Sequence, residues 1–352
     1  MKILLIKQTS LGDVLHMTPV IRALKKWKPE SEIDIVTDKR ALGILKNNPY
    51  INKLYVLDIY KYEKEIFKSP LKFFSTIKEF FSHIKEVRKK KYDIAIDLQG
   101  LERSVIFLYL CKAKKKYAKG KWAFVKSNYY VDINAIVGLI SFLKFFDCPN
   151  DGVDLDYFLP ETIEEDFNKT IERIKQTKNF EIEKDYIVFS PFSRWETKDL
   201  SVNKAREIIA EIKKLKDIQI IVSATSDYNK ECKEIVEGFD NVLDSSGLFN
   251  LTELAYLIKN SKCMLTVDSF PMHTGCAFKK PLIAIFGPTS EIRVGPIAEN
   301  SEVFRADNIE CEKCYKRKNC PNNHICIENI DSKLLAKRLI DKIENNNFFL
   351  YY

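Results

Sequence analysis

The sequence predicts an α/β protein built as two parallel-sheet domains, and three observations predict it. Short apolar runs bounded by polar turns alternate with amphipathic helical runs, the pattern of buried strands joined by crossover helices. The alternation begins afresh after DCPNDGVDLDYFLPE at 147–161, whose Pro, Gly and Asp content marks a linker. At 352 residues the chain is also too long for one comfortable α/β core. The expected division is 1–170 and 171–330, with a helix and tail at 331–352 that packs back on the first domain.

Composition narrows the partners. There are 57 Lys and Arg against 49 Asp and Glu, a net charge of +8 that suits an anionic ligand without naming one. No zinc finger, helix-turn-helix or aromatic strand motif accompanies the basic residues, so nucleic acid is not expected as a partner. No uncharged apolar run approaches eighteen residues. The longest candidate, 133–146, is too short and contains Lys144, so a membrane span is not expected. The opening MKILLIKQTSLGDV has no basic leader or cleavage site and reads as the first core strand rather than a signal peptide.

In the first half, residues 2–6 make strand one and the loop after it carries Thr9, Ser10, Gly12 and Asp13. The next run is helical through Val20, Ile21, Leu24 and Trp27. Pro19 cannot sit inside such a helix without striking a carbonyl four residues back, so it belongs in the first turn, with Thr18 as cap. Asp13 therefore lies at a strand-to-helix junction, either as a cap or as a carboxylate on the ligand-binding edge of the sheet. Strands follow at 33–36 and 54–57. The stretch PLKFFSTIKEFFSHIKEVR at 70–88 spaces Phe73, Phe74, Ile77, Phe80, Phe81, Ile84 and Val87 by three and four. It either docks on the sheet or leaves a part-exposed aromatic face for a membrane or lipidic acceptor. Strand 93–97 ends in Asp97, and Gln99-Gly100 opens a second polar strand-end loop. Six lysines then fall between Lys112 and Lys121, including Lys119, as a solvated face or a phosphate-binding patch on the acceptor side.

The second half starts with strand 186–190 and the loop PFSRWETKDL, which sets Arg194 and Lys198 beside a strand end. A fixed cation there would offset charge on a departing phosphate. Strands at 218–222 and near 242–243 follow, and Asn250 with Glu253 makes a capping pair for helix 251–259. The organising stretch is KCMLTVDSFPMHTGCAFKKPLIAIFGPTSEIRVGP. It reads as strand 263–267, the Asp268-Ser269 turn, helix 271–278 with Met272 and His273, strand 282–286, and the loop Gly287-Pro288-Thr289-Ser290. Loop amides at a helix start there suit a diphosphate. Past it, Cys311, Cys314, Cys320 and Cys326 lie within sixteen residues, with His324 among them. Four such thiols can surround zinc, hold an iron–sulfur cluster or pair as disulfides. Helix 332–343 and the aromatic tail NNNFFLYY close the chain.

Five segments in order, TSLGDVLHMTPVIRALK at 9–25, IDLQG at 96–100, WETKDL at 195–200, LFNLTELAYLI at 248–258 and DSFPMHTGCAFKKPLIAIFGPTSE at 268–291, resemble the ADP-heptose:lipopolysaccharide heptosyltransferases, glycosyltransferase family 9. The resemblance implies a GT-B fold, two Rossmann-like domains facing across a cleft, with the acceptor on the N-terminal domain and the nucleotide-sugar on the C-terminal one. It implies an inverting, metal-independent enzyme, cytoplasmic and peripheral to the inner face of the membrane, with an ADP-sugar donor and an anionic glycolipid acceptor. Asp13 matches the catalytic base and Lys198 the phosphate-binding lysine. Asp268, Ser269, Met272, His273, Gly287, Pro288, Thr289 and Ser290 match the donor pocket, to which Thr9, Ser10, Gly12 and Arg194 are added. Asp97, Gln99, Lys119 and Lys121 are the acceptor candidates. Similar cysteine groups in the family look structural, which makes a structural zinc at 311–326 the expectation and leaves transfer without a required cofactor. Phe270 stands where the family has Gly, and Ser223-Ala224 where it often has Gly-Gly, so another nucleotide-hexose stays open as donor. An NAD oxidoreductase is disfavoured because no GxGxxG follows strand one. A non-catalytic sugar-nucleotide binder is the remaining alternative.

Overall fold

The computed structural model describes residues 1–349 except 66, 67, 129–131, 177, 179 and 312, and side chains through 345. The chain divides into two units, Met1–Phe158 and Leu159–Tyr352. Each is wound on its own all-parallel sheet of six strands, and each has the same strand order.

In the first unit the strands are β1 (Lys2–Ile6), β2 (Glu32–Asp38), β3 (Lys53–Leu57), β4 (Lys91–Asp97), β5 (Lys112–Lys119) and β6 (Lys126–Asn128), in the order β3-β2-β1-β4-β5-β6. Leu4 stands between Asp34 and Ala95, and Leu5 between Ile35 and Ile96. In the second unit they are β7 (Tyr186–Ser190), β8 (Gln219–Val222), β9 (Val242–Asp244), β10 (Cys263–Val267), β11 (Leu282–Ile285) and β12 (Ser301–Phe304), in the order β12-β11-β10-β7-β8-β9. Counted within its unit, each sheet reads 3-2-1-4-5-6. The largely apolar runs of β1, β7 and β10 follow from burial on both faces by helices.

Helix termini follow local chemistry. Pro19 occupies the first turn of Thr18–Trp27, with Met17 rather than Thr18 at the cap position. Asn250 Oδ1 accepts from the Thr252 and Glu253 amides, while Glu253 returns the favour to the Asn250 amide at 2.9 Å.

The structure departs from expectation in four places. The lysine-rich run 112–119 is strand β5. Two of its lysines are spent locally, Lys114 on Asp93 at 2.8 Å and Lys116 on the Tyr109 carbonyl at 2.8 Å, while Tyr117 and Ala118 enter the core. β6 and β12 also had no sequence signal, being short and mostly polar. The unit boundary falls after Phe158 rather than at 170, because helix Ile163–Lys175 belongs with the second unit: Thr170 donates to Glu253 at 2.6 Å and Phe167 stacks on Phe249. The last helix, Ser332–Phe349, joins the second unit's core instead of the first domain, burying Leu335, Leu339 and Ile343 with Ile208 and Ile212. The side chains of the aromatic tail lie outside the described residues. Helix Pro70–Val87 divides its apolar residues: Ile84 and Val87 are buried, Phe80 packs on Phe107, and Phe74 and Phe81 are exposed.

Gly100 ends β4's loop at φ +75, and a Cβ there would stand 2.8 Å from the Lys119 carbonyl oxygen. Gly100→Ala is therefore expected to cost about 1–3 kcal/mol, read from urea unfolding, because both the backbone region and the close approach to β5 are lost to a side chain.

Candidate active site

In a sheet ordered 3-2-1-4-5-6, crossovers leave the first and fourth strands toward opposite faces. The carboxyl ends of β1 and β4, and again of β7 and β10, therefore bound a crevice that chain does not fill. Residues gather at both points.

At the first, Lys7 and Gln8 follow β1 directly and are buried. Lys7 Nζ donates to the Leu98 carbonyl at 3.3 Å and stands 3.9 Å from Asp13 Oδ1. Asp13 lies in the first turn of helix Leu11–Leu15, where its Oδ2 accepts from the Ser10 amide at 3.0 Å and the Ser10 hydroxyl at 2.8 Å. Asp13 thus does cap its helix, but with one oxygen; Oδ1 faces the lysine on a side chain that is 43 % exposed. Burial of the surroundings works against the charge. The Lys7 ammonium, then His16, and the bonds from Ser10 outweigh it and hold the carboxyl well below the usual carboxylate range. The carboxylate is ionised at neutral pH, the state a proton acceptor needs.

β4 contributes the wall of this crevice. Gln99 Oε1 accepts from the amides of Gln8 and Thr9 at 3.2 and 3.0 Å, tying the two strand-end loops together. Asp97 is buried and accepts from the Gln99 and Gly100 amides and the Ser104 hydroxyl; burial raises its carboxyl to about 6. Asp97 therefore shapes the loop from within. Arg103 donates to Gln8 Oε1, Thr9 Oγ1 and Glu63.

At the second, Lys198 closes the loop after β7 with Nζ 2.6 Å from Asp268 Oδ2, and the Thr289 hydroxyl donates to the same oxygen at 2.7 Å. The pair is largely shielded from water, and the Trp195 ring lies 4.3 Å beneath the ammonium. Three loops, after β7, β10 and β11, thus converge on one carboxylate. The loop after β7 is shaped by Asp199, which accepts from the Ser193 amide at 2.6 Å and the Tyr228 hydroxyl at 2.8 Å and whose carboxyl burial pushes up to about 6. The loop after β11 is clamped by Arg305, which donates to the Gly287 and Thr289 carbonyls at 2.6 and 3.0 Å.

The structure brings Lys198, Asp268 and Thr289 together, and Asp13 with Ser10, while Thr9 is bonded to Gln99 and Arg103. The other candidates are placed as follows. Met272 is fully buried and His273 nearly so, in helix Phe270–Ala277. Gly287 packs where a Cβ would meet Ile327 and Cys326, and the Pro288 carbonyl accepts from the Tyr315 amide at 3.0 Å. Gly12 is buried in the first helix, its carbonyl bonded to His16. Ser269 turns back on the Val267 carbonyl at 3.2 Å, Ser290 is buried, and Arg194 is exposed with no side-chain partner among the described residues. Lys119 lies at the end of β5 with its carbonyl held by the Trp122 indole, and Lys121 is exposed. Lys7, Gln8, Arg103 and Arg305 were missed; for Lys7 and Gln8 the available signal was two polar residues directly after the first strand.

The four clustered cysteines are free thiols. Burial, then the neighbouring Cys311, Cys320 and Cys314, raises the Cys326 thiol to about 11. Yet among the described residues no three His, Cys, Asp or Glu side chains converge to hold a metal ion, and the zinc expectation has no support in this geometry. Cys326 is buried beneath Gly287, Cys314 is exposed, and Cys320 accepts from the His324 amide at 3.4 Å.

Residues 80–325 match the family described as glycosyltransferase family 9 (heptosyltransferase). Lipopolysaccharide heptosyltransferase 1 of Campylobacter coli is 28% identical over 358 aligned residues, covering 96% of this chain and 97% of its own. A glycosyl transferase family 9 crystal structure from Veillonella parvula superposes with a TM-score of 0.80 at 20% identity, covering 98% and 97% of the two chains. The E. coli heptosyltransferase WaaC with ADP gives 0.72 at 21% identity, covering 98% and 100%. The shared architecture is the GT-B fold.

Lys7→Met removes the ammonium while keeping most of the side-chain length. The Asp13 carboxyl, followed by NMR titration, is expected to titrate at distinctly higher pH in K7M, because burial is then less opposed. In the unaltered protein its folded value is depressed. Its contribution to stability is therefore complete above about pH 4, where the unfolded carboxyl titrates, and is lost progressively as pH falls from there through the lower folded value. Equal titration in both proteins would assign the depression to His16 and Ser10 instead.

Proposed function

The chain belongs to glycosyltransferase family 9, the heptosyltransferases, and from that premise we propose that it moves a heptose from an ADP-sugar to a glycolipid of the lipopolysaccharide-core type by a single inverting displacement. That it is a glycosyltransferase follows from the family itself. The donor reading draws support from relatives described as lipopolysaccharide heptosyltransferases and from a fold neighbour solved with ADP. The observation that carries it in this chain is the convergence of Lys198, Asp268 and Thr289 at the second switch point.

In this mechanism Asp13 Oδ1 takes the proton of the acceptor hydroxyl as its oxygen bonds to the anomeric carbon. The bond from that carbon to the diphosphate oxygen breaks, and its electron pair leaves with ADP. Lys198 offsets the charge that grows on that oxygen, so the cation's part falls to a side chain and no step runs through a metal. Before donor binds, Lys198 is engaged by Asp268. Phosphate competes for the ammonium, and the Asp268 carboxylate is turned toward a sugar or ribose hydroxyl, which can donate to it. Acceptor binding is assigned to Gln99, Arg103 and the Lys119–Lys121 turn beside β4. The donor is met at the cytoplasmic face of the membrane that holds the acceptor. Among the described residues no helix is long and apolar enough to cross a membrane. Phe270, half-buried at the start of helix Phe270–Ala277, favours a second reading in which the sugar is another nucleotide-linked hexose.

Calorimetric binding of ADP-, UDP- and GDP-sugars is the first measurement, with ADP-heptose expected to bind most tightly. With that donor, Asp13→Asn is expected to lower turnover by roughly 10²–10⁴ and leave donor affinity nearly unchanged. Asp13→Asn at near wild-type turnover, or a product that keeps the donor's anomeric configuration, would overturn the mechanism. Lys198→Ala is expected to weaken donor binding and transfer together, because phosphate charge is present before and during the reaction. Donor affinity equal to wild type in that variant would remove Lys198 from the phosphate site.

A further inference from the structure

Helix Pro70–Val87 is held to the first unit by one side only. Thr76, Ile84 and Val87 are buried along it, and Phe80 meets Tyr62 and Phe107 with ring centroids 6.3 and 5.1 Å apart. A second stripe runs down the solvent side through Leu71, Phe74, Lys78, Phe81 and Lys85, spaced by three and four residues. Its apolar members are 83 %, 68 % and 52 % exposed. Over about 21 Å of helix, at 1.5 Å per residue, three large apolar side chains alternate with two lysines.

The charges on this element are not balanced. From Ile59 to Lys91 there are ten Lys and Arg against four Glu. Each of those glutamates is already paired: Glu63 with Arg103, Glu65 with Lys72, Glu79 with Lys61 and Glu86 with Lys53. Lys78 and Lys85, on the apolar stripe itself, have no ion-pair partner among the described residues. A protein interface of this size would bury those ammonium groups, and interface centres are depleted of lysine for that reason. A phospholipid surface does the reverse. It takes leucine and phenylalanine into the acyl boundary and leaves the lysine stems lying along it with their charges at the phosphates.

We propose that the outer stripe of helix Pro70–Val87, Leu71, Phe74 and Phe81 with Lys78 and Lys85, is the surface by which the enzyme docks on an anionic bilayer. The helix lies in the headgroup plane, anchored by three side chains and attracted by unpaired lysines. The inference deepens the glycolipid-acceptor reading above and rests on it for the reason a bilayer is present. Binding to vesicles can nevertheless be measured with no donor or acceptor.

The test is co-sedimentation of the full chain with vesicles of phosphatidylcholine alone and with added phosphatidylglycerol, over a salt series. Binding is expected to the anionic vesicles and to weaken as salt rises. The triple variant L71E/F74E/F81E is expected to bind at least about ten-fold more weakly, and K78E/K85E to lose binding chiefly at low salt. Both keep the inner stripe, and an unchanged melting temperature verifies the fold. Anionic vesicle binding that is the same in both variants as in the parent, or absent altogether, overturns the proposal. So does a parent that sediments as a dimer and becomes a monomer in L71E/F74E/F81E, because the stripe is then covered by a second copy. If vesicle binding behaves as expected while no ADP-sugar binds, the functional reading fails and the surface stands. If transfer to a detergent-solubilised acceptor proceeds while vesicle binding fails, the surface is wrong and the function stands.

Discussion

Everything the two units do depends on a gap in hydrogen-bonded chain. A parallel sheet whose first and fourth strands are neighbours must send the chain away from them on opposite faces, and the space between their carboxyl ends stays open. Both units obey this, and both place a lysine and an aspartate there. The identities come from different elements: Lys7 follows β1 and Asp13 begins a helix, whereas Lys198 lies in a loop and Asp268 follows β10. The common arrangement is thus a product of topology acting on polar strand ends.

The two pairs differ in a way that matters for chemistry. Lys198 and Asp268 are 2.6 Å apart and shielded, an ion pair in which removing one partner leaves the other stranded. Its stability lets three loops share one carboxylate. Lys7 and Asp13 are 3.9 Å apart with the aspartate part-exposed. Lys7 lowers the carboxyl's affinity for a proton without occupying Oδ1 closely. A low pKa keeps Asp13 ionised at neutral pH yet limits how strongly it pulls a proton, so its contribution depends on position more than on basicity.

Much of this was legible in the chain, for identifiable reasons. Strands buried on both faces must be largely apolar, so β1, β7, β10 and β11 stood out as short apolar runs. The Asn250 and Glu253 cap is a local exchange of hydrogen bonds and needs no tertiary information. Strand β5 was hidden because its lysines find partners in neighbouring elements, Asp93 on β4 and the Tyr109 carbonyl, that no local pattern reveals. Asp97 read as a ligand-facing acid because it ends a strand. Its burial under Gln99, Gly100 and Ser104 is a property of the folded loop. Met272 and Gly287 likewise sit in the right stretch, but packing decided their use. Within helix Pro70–Val87, the split between Phe80 turned inward and Phe74 turned outward could not be read from spacing, since both lie on one broad apolar arc.

The cysteine segment shows how a pattern can be right about place and silent about purpose. Its residues reach the site through main-chain and side-chain contacts alike. The Tyr315 amide holds the Pro288 carbonyl, Thr197 donates to the Lys316 carbonyl, and Arg317 lies over the Trp195 ring that also carries Lys198. Cys326 and Ile327 fill the space left by the absent side chain of Gly287. The segment thus braces two of the three loops that converge on Asp268. A stretch with few apolar residues has little burial to order it, and here its contacts with the loops after β7 and β11 order both partners at once. The geometry of the lysine–aspartate pair therefore depends on residues 315–327 as much as on the strands beneath it.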